Sequence, residues 1–302
     1  MFFSSMNRDG IKDNHKPALP SVEQDHAALL RVENLRVDFT TRQGRVAAVR
    51  GVSFQVGREK LALVGESGSG KSQTVRAILG LLPRSGQLQA RCLKFAGLDL
   101  LQADHRLWRA LRGRRIALIM QDPHYSLNPV LSVGQQLEEA YRVHFGGSRR
   151  AARRKALDML QAVRIREPQR VLRAYPHELS GGMGQRVMIA MMLLPEPDLL
   201  IADEPTSALD VTVRLQVLAI LDELVTRRGM GLILISHDLN LVASFCDRIL
   251  VMYGGKIVEE CAADRLHQAQ HPYTRGLLNC LPALTERRPM LPVLERNPAW
   301  LD

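Results

Sequence analysis

Apolar and polar positions alternate along LLRVENLRVDF (29–39) and VAAVRGVSFQV (46–56), with the turn-like TRQG (41–44) between them. This pattern predicts two half-buried strands joined by a turn. LALVGE (61–66) is different: a short unbroken apolar run that stops at glycine, as a strand buried on both faces does. PDLLIADEP (197–205) and GLILISHD (231–238) contain two more such runs, and RILVMYGGKIVEE (248–260) reads as a hairpin about Gly254-Gly255. Between the runs the spacing becomes helical, in SQTVRAILGLL (72–82) and in VRLQVLAILDELVTRRG (213–229), where Gly229 is a stop signal. Residues from about 125 to 190 read as mostly helical, with main helices at VGQQLEEAYRVH (133–144) and ARRKALDMLQAV (152–163).

Buried strands alternating with helices predict an α/β fold with a largely parallel sheet. In such sheets ligands bind beyond the carboxyl ends of the strands. The glycine-rich stretch after LALV, the pair Asp203-Glu204 and His237 each follow a predicted strand end. Residues far apart in sequence are thus expected at one sheet edge. Residues 1–27 are polar and aperiodic and read as a loose arm, and the Pro- and Arg-rich stretch from 285 reads as an extended tail. No internal repeat is visible, so the chain reads as one copy of one domain.

Composition narrows the class. The 302 residues suffice for one large α/β domain, and 46% apolar with 24% charged content is ordinary for a soluble globular protein. No apolar run is long enough to span a bilayer, and the polar N-terminus lacks the apolar segment of a signal peptide, so a cytoplasmic home is expected. Cys92, Cys246, Cys261 and Cys280 are scattered without a C-x-x-C pair, which argues for free thiols over a zinc site or a disulfide framework. The net charge of +10 suits nucleic acid, an anionic membrane face or phosphorylated ligands. Its clusters, RLWRALRGRR (106–115) and SRRAARRKA (148–156), read first as solvated helix faces.

GESGSGKS (65–72) fits G-x-x-x-x-G-K-[ST]. Gly65, Glu66, Ser67, Gly68, Ser69 and Gly70 form a loop whose backbone can wrap phosphate, and the helix that follows offers the positive end of its dipole. Lys71 is placed to reach the β- and γ-phosphates, and Ser72 to give a hydroxyl to Mg²⁺. Two carboxylates end the LLIADE strand. A buried unpaired acid is costly, and a metal is one partner that removes the cost. Asp203 suits the Mg²⁺ shell and Glu204 suits a base for attacking water. Gln121 follows the apolar run RIALIM (115–120); its amide can touch metal and water, or be an ordinary polar residue at a strand end. LSGGMGQR (179–186) reads either as a helix cap with a tight turn or as a second anion-binding helix start, which a facing second chain would use. His237 is either a structural histidine or a neighbour of the γ-phosphate. SALD (207–210) can line a dimer seam.

In this order GESGSGKS, Gln121, LSGGM, LLIADE, SALD and His237 resemble the Walker A, Q-loop, signature, Walker B, D-loop and H-loop of ABC ATPases, over residues of about 29 to 283. GESGSGKSQT, QDPHYSLNPVLSVG, YPHELSGGM, IADEPTSALDVTV and HPYTRGLL (271–278) look like the ATPase subunits of oligopeptide and dipeptide importers, with nickel importers close by. The resemblance implies a P-loop NTPase of ABC type: a mostly parallel core sheet, an antiparallel β subdomain, and a helical subdomain at about 122–190 within an ATPase domain spanning 28–284. It implies ATP and Mg²⁺ as cofactors. Glu204 becomes the catalytic base, His237 the γ-phosphate sensor, and Gln121 a metal and water contact. Ser72 and Asp203 complete the metal set. Phe39 stacks on adenine, and the phosphate loop through Gln73 binds the nucleotide. Ser180 and Gly182 contact the ATP held by a partner subunit, and Gly181, Gln185 and Asp210 are counted with the nucleotide-binding residues.

The implied partners are two transmembrane permeases, a second ATPase chain (a paralogue or a copy of this one) and, indirectly, an extracytoplasmic binding protein. The implied place is peripheral, on the cytoplasmic side of the membrane. Three departures stand out. Gly184 replaces a usual arginine and is expected to soften its helix start. Pro195 replaces a usual small residue. The chain ends without a cysteine-rich tail, so no iron–sulfur cluster is expected. A soluble ATPase acting on nucleic acid or ribosomes would explain the charge, yet neither a long coiled coil nor a second ATPase unit is present, and no nucleic-acid partner is expected. A non-hydrolysing regulator is disfavoured by Glu204.

Overall fold

A computed structural model describes residues 28–42, 44–280, 297 and 300, without the side chains of His124 and Tyr125. Strands β1 (Leu30–Thr41) and β2 (Gly44–Val56) pair antiparallel, as the alternation predicts. The alternation breaks between Val32 and Leu35, yet Leu30, Val32, Leu35 and Val37 are all buried. A bulge resolves the conflict: Asn34 takes φ 50°, its N–H donates to Ser53 Oγ at 2.8 Å, and the phase resets. The chain then enters β3 (Lys60–Val64) and α1 (Lys71–Ile78). Short strands β4 (Gly86–Gln89), β5 (Cys92–Phe95) and β6 (Leu98–Asp99) complete a five-stranded sheet with β1 and β2.

Helix α2 (His105–Leu111) leads to β7 (Ile116–Ile119), and a helical stretch follows. It comprises α3 (Pro123–Ser126), α4 (Val133–Phe145), α5 (Arg149–Ala162), α6 (Pro168–Val171) and α7 (Gly181–Leu193). Ser132, Ser148 and Ser180 cap α4, α5 and α7 by accepting a hydrogen bond from the residue three further on. Next come β8 (Leu199–Asp203), α8 (Val211–Arg228), β9 (Gly231–Ser236), α9 (Leu239–Phe245), β10 (Arg248–Tyr253), β11 (Lys256–Ala262) and α10 (Pro272–Asn279). Gly229 ends α8 in the left-handed conformation, as the stop signal predicts.

The second sheet has the order β11-β10-β3-β9-β8-β7. All pairs are parallel except the β10–β11 hairpin. Apart from the edge strand β11, whose residues are half-buried or exposed, its strands bury both faces, and alternate residues enter different cores. Ala62, Val64, Leu200, Ala202, Leu232 and Leu234 face the core built with the helical stretch, α8 and α9. Leu61, Leu63, Leu199, Ile201, Ile233 and Ile235 face the core shared with α1 and the antiparallel sheet. This double burial explains the unbroken apolar runs. Truncating one such leucine to alanine costs about 2–5 kcal/mol. Arg115–Asp198 (2.6 Å) and Lys60–Asp222 (2.8 Å) brace the amino-terminal ends of the strands.

No described helix is long and apolar enough to cross a membrane. The expected arm before residue 28 lies outside the described residues, as does the expected tail apart from Asn297 and Trp300. At Trp300 the chain lies on the body, its ring 5.7 Å from Tyr253 and 5.9 Å from Tyr273 between centroids.

Candidate functional site

Strands β3, β8 and β9 lie side by side, and their carboxyl ends deliver the loop 65–70, Asp203-Glu204 and His237 to one edge. β7 delivers Gln121 beside them. The loop turns into α1 at Gly70, which holds φ 102°; a Cβ there would come within 2.6 Å of the Ala48 carbonyl oxygen. Only glycine fits that conformation and that approach. No side chain caps α1, so its first N–H groups remain for a ligand.

Lys71 is 7% exposed. Its Nζ donates to the carbonyls of Gly65 and Glu66, each at 2.8 Å, and to Ser69 Oγ at 3.2 Å. Burial lowers its pKa, while Glu204, Asp203 and Glu66 pull it back upward. Asp203 shifts the other way. Burial raises its pKa, helped by the charge of Glu204; a hydrogen bond from the Ser72 hydroxyl and the charges of Arg76 and Lys71 oppose the rise. Both groups are thus pushed toward neutrality.

Glu204 sits at φ 47°, an unfavourable conformation for a residue with a side chain, and its N–H donates to the Ile235 carbonyl at 3.0 Å. The turn aims its carboxylate at two partners. Gln121 Nε2 lies 3.4 Å from Oε2, and His237 Nδ1 lies 3.2 Å from Oε1. A carboxylate held between an amide and an imidazole, next to a buried lysine, can orient and deprotonate a water directed at a phosphoryl group.

Among the described residues no group of three or more acidic, histidine or cysteine side chains forms a metal cage. The oxygen donors Ser72 and Asp203 nevertheless suit Mg²⁺, which commonly takes one or two protein ligands and completes its shell with phosphate and water. A cation there would also offset the desolvation of Asp203. Gln73 Oε1 is buried with no hydrogen-bond partner among the described residues, which leaves a polar group beside the loop for a ligand to satisfy.

Phe39 is half-buried, with its ring packed over Gly86. Ser180 caps α7 by accepting from the Met183 N–H at 3.4 Å, and Asp210 caps α8 by accepting from the Val213 N–H at 3.0 Å. Both caps and Gly181-Gly182 line a cavity of about 870 Å³. Arg164, Arg166, Arg170, Arg173 and Arg186 stand in its wall, a basic surface that the sequence reading did not single out. The spacing of the arginines had been visible, but only the fold places them beside α7. Gln185, expected among nucleotide-binding residues, faces inward instead: it is 1% exposed and its amide donates to the Pro205 carbonyl. It ties α7 to the turn that follows Glu204. Gly184 is buried against Pro123. Tyr273, also missed, reaches the phosphate loop from α10.

A family model described as ABC transporter matches residues 49–207. The dipeptide transport ATP-binding protein of Haemophilus influenzae is 47% identical over 270 residues, 89% of this chain and 82% of that protein. The oligopeptide transport ATP-binding protein of Escherichia coli is 45% identical over 282 residues, 93% of this chain and 83% of that protein. Among solved structures, a dimeric ATP-binding cassette in a post-hydrolysis state, bound to ADP and Pi, superposes with a TM-score of 0.67 at 26% identity. That superposition covers 78% of this chain and 98% of the other.

Proposed function

Since the chain belongs to the ABC transporter family, we propose that it is the ATP-hydrolysing subunit of a di- or oligopeptide importer, acting at the cytoplasmic face of the membrane. The meeting of Lys71, Asp203, Glu204, Gln121 and His237 at one sheet edge carries this reading. The loop 65–70 and the start of α1 cradle the phosphates, Lys71 leaves its loop carbonyls for the terminal phosphates, and Phe39 meets the base. Ser72 and Asp203 would hold Mg²⁺, which when bound would neutralise charge on the phosphate oxygens. Glu204 takes the proton of the attacking water. Gln121 and His237 fix the angle of its carboxylate, and His237 also senses the γ-phosphate.

The cavity at Ser180 and Gly182 opens outward, and its arginines suit the polyphosphate of a second, head-to-tail subunit. Closure of the two subunits would pull on two membrane-spanning partners through the Gln121 segment and the helical stretch. Similarity to peptide transport proteins at 45–47% identity supports peptides as the cargo. The test is reconstitution with its membrane subunits and binding protein in vesicles. Glu204→Gln is expected to retain ATP binding while hydrolysis falls by about 10²-fold or more, the contribution typical of a positioned general base. Equal turnover by variant and parent refutes Glu204 as the base. ATP hydrolysis that does not respond to a peptide-loaded binding protein refutes the cargo.

A further inference from the structure

The segment HPYTRGLL marks the chain's subgroup but has no part in the chemistry above. Its geometry supplies one. His271 caps α10, its Nδ1 accepting from the Tyr273 N–H at 3.2 Å, and Pro272 occupies the first helical position. The Gln270 and His271 N–H groups both donate to Glu259 Oε1, at 2.6 and 3.3 Å, which anchors the helix start to β11. These contacts aim Tyr273 into the body, where it is fully buried. Tyr253 packs on its ring at a centroid distance of 4.4 Å, and Trp300 closes the cluster. The hydroxyl ends at the phosphate loop and accepts from the Glu66 N–H at 3.0 Å.

We infer that Tyr273 is a positioning residue for nucleotide binding: its hydroxyl holds the Glu66 peptide, and with it the phosphate loop, in the receptive shape. The Gly65–Glu66 peptide is gripped at both ends: its N–H donates to Tyr273, and its carbonyl, that of Gly65, accepts from Lys71 Nζ at 2.8 Å. A phosphate that recruits Lys71 releases the second grip, so the tyrosine is the one that persists through binding. The inference rests on the reading of this loop as an ATP site. H-P-Y is then a compact device: a cap, a preset backbone angle and an aimed hydroxyl.

Tyr273→Phe removes the hydroxyl and keeps the ring. The full chain would be titrated with a fluorescent ATP analogue, and the assembled transporter assayed for KM and kcat. The expected result is a rise of about fivefold in Kd and in KM, the factor of one neutral hydrogen bond, with kcat changed less than about twofold. Thr274→Val is the control. Its Oγ1 is buried with no hydrogen-bond partner among the described residues, so it removes a hydroxyl from the same helix without touching the loop, and affinity should stay at the parent value. Hydrogen exchange in the nucleotide-free parent gives a check independent of any variant: the Glu66 amide should be protected. Affinity of Tyr273→Phe within twofold of the parent, or rapid exchange at Glu66, overturns the inference alone. A parent chain that binds no ATP analogue overturns both this inference and the ATPase reading.

Discussion

Two glycines of α7, two residues apart, should respond to the same substitution in opposite directions. Gly182 lies against the first turn of α8, where a Cβ would come within 2.6 Å of Val213 Cγ1. Val213 is β-branched and cannot swing that methyl aside cheaply. Gly182→Ala therefore carries an overpacking cost of about 1–3 kcal/mol. Alanine's better helix propensity returns up to about 1 kcal/mol, leaving a net loss of about 1 kcal/mol. At Gly184 a Cβ meets only Pro123, at 3.5 and 3.7 Å, which is ordinary contact. Gly184→Ala keeps the propensity gain, about 0.5–1 kcal/mol, at no steric cost. In a chain of this size the two variants should differ by about 4 °C in unfolding midpoint, Gly182→Ala below the parent and Gly184→Ala above it. Circular dichroism melts of the nucleotide-free chain measure this directly. Adding Val213→Ala to Gly182→Ala should recover part of the loss relative to Val213→Ala alone, because the two sites share one contact. A Gly182→Ala variant as stable as the parent, or a Gly184→Ala variant less stable, refutes the packing argument.

Asp203 titrates above its ordinary range in the folded chain, so the folded state holds that proton more tightly than the unfolded state does. Its contribution to stability therefore falls as pH rises from the ordinary carboxylate value through the raised one, and at neutral pH the ionised group is a penalty. Asp203→Asn should raise the unfolding midpoint of the nucleotide-free chain at pH 7 and abolish the Mg²⁺ dependence of ATP binding; a lower midpoint would show that the carboxylate is better compensated than its burial implies. Gln185→Leu leaves the Pro205 carbonyl without its donor and should cost about 1–3 kcal/mol in denaturant unfolding of the nucleotide-free chain. No loss there would mean that the buried amide is kept for nucleotide and not for the tie.

The strands that carry the site were legible because both of their faces are buried, which leaves a short apolar run that stops at glycine or at polar residues. Strands β4, β5 and β6 were not, since segments of two to four residues are too short to display a period. Periodicity gives the face of a residue but not its neighbours across the sheet. That β3 lies between β9 and β10, and that β8 lies between β7 and β9, is a matter of crossover order. The distances from Glu204 to Gln121 and His237 depend on that order and could only be read from the fold. Gln185 carried a usable signal: it opens an apolar helical run, VMIAMMLL, and an amide on a buried face must find a partner. The role of Tyr273 had none, because its target is a backbone N–H about two hundred residues away.

The charged groups of the site explain why it calls for a particular kind of ligand. Lys71 and Asp203 are both desolvated, and each is displaced toward its neutral form despite attracting the other. An ion pair between them therefore does not compensate their burial. A ligand that brought only negative charge would relieve Lys71 and worsen Asp203; a bare cation would do the reverse. A polyphosphate with its divalent cation brings both countercharges at once, the anion to the loop and the cation to the strand end. Glu204, held in a strained turn, turns its carboxylate to Gln121 and His237 and not to Ser72, the group that Asp203 faces, which leaves its charge to serve a water. The division of labour between adjacent carboxylates thus follows from one backbone turn: Asp203 ends the strand pointing back toward Ser72, and the left-handed residue after it sends the next carboxylate elsewhere.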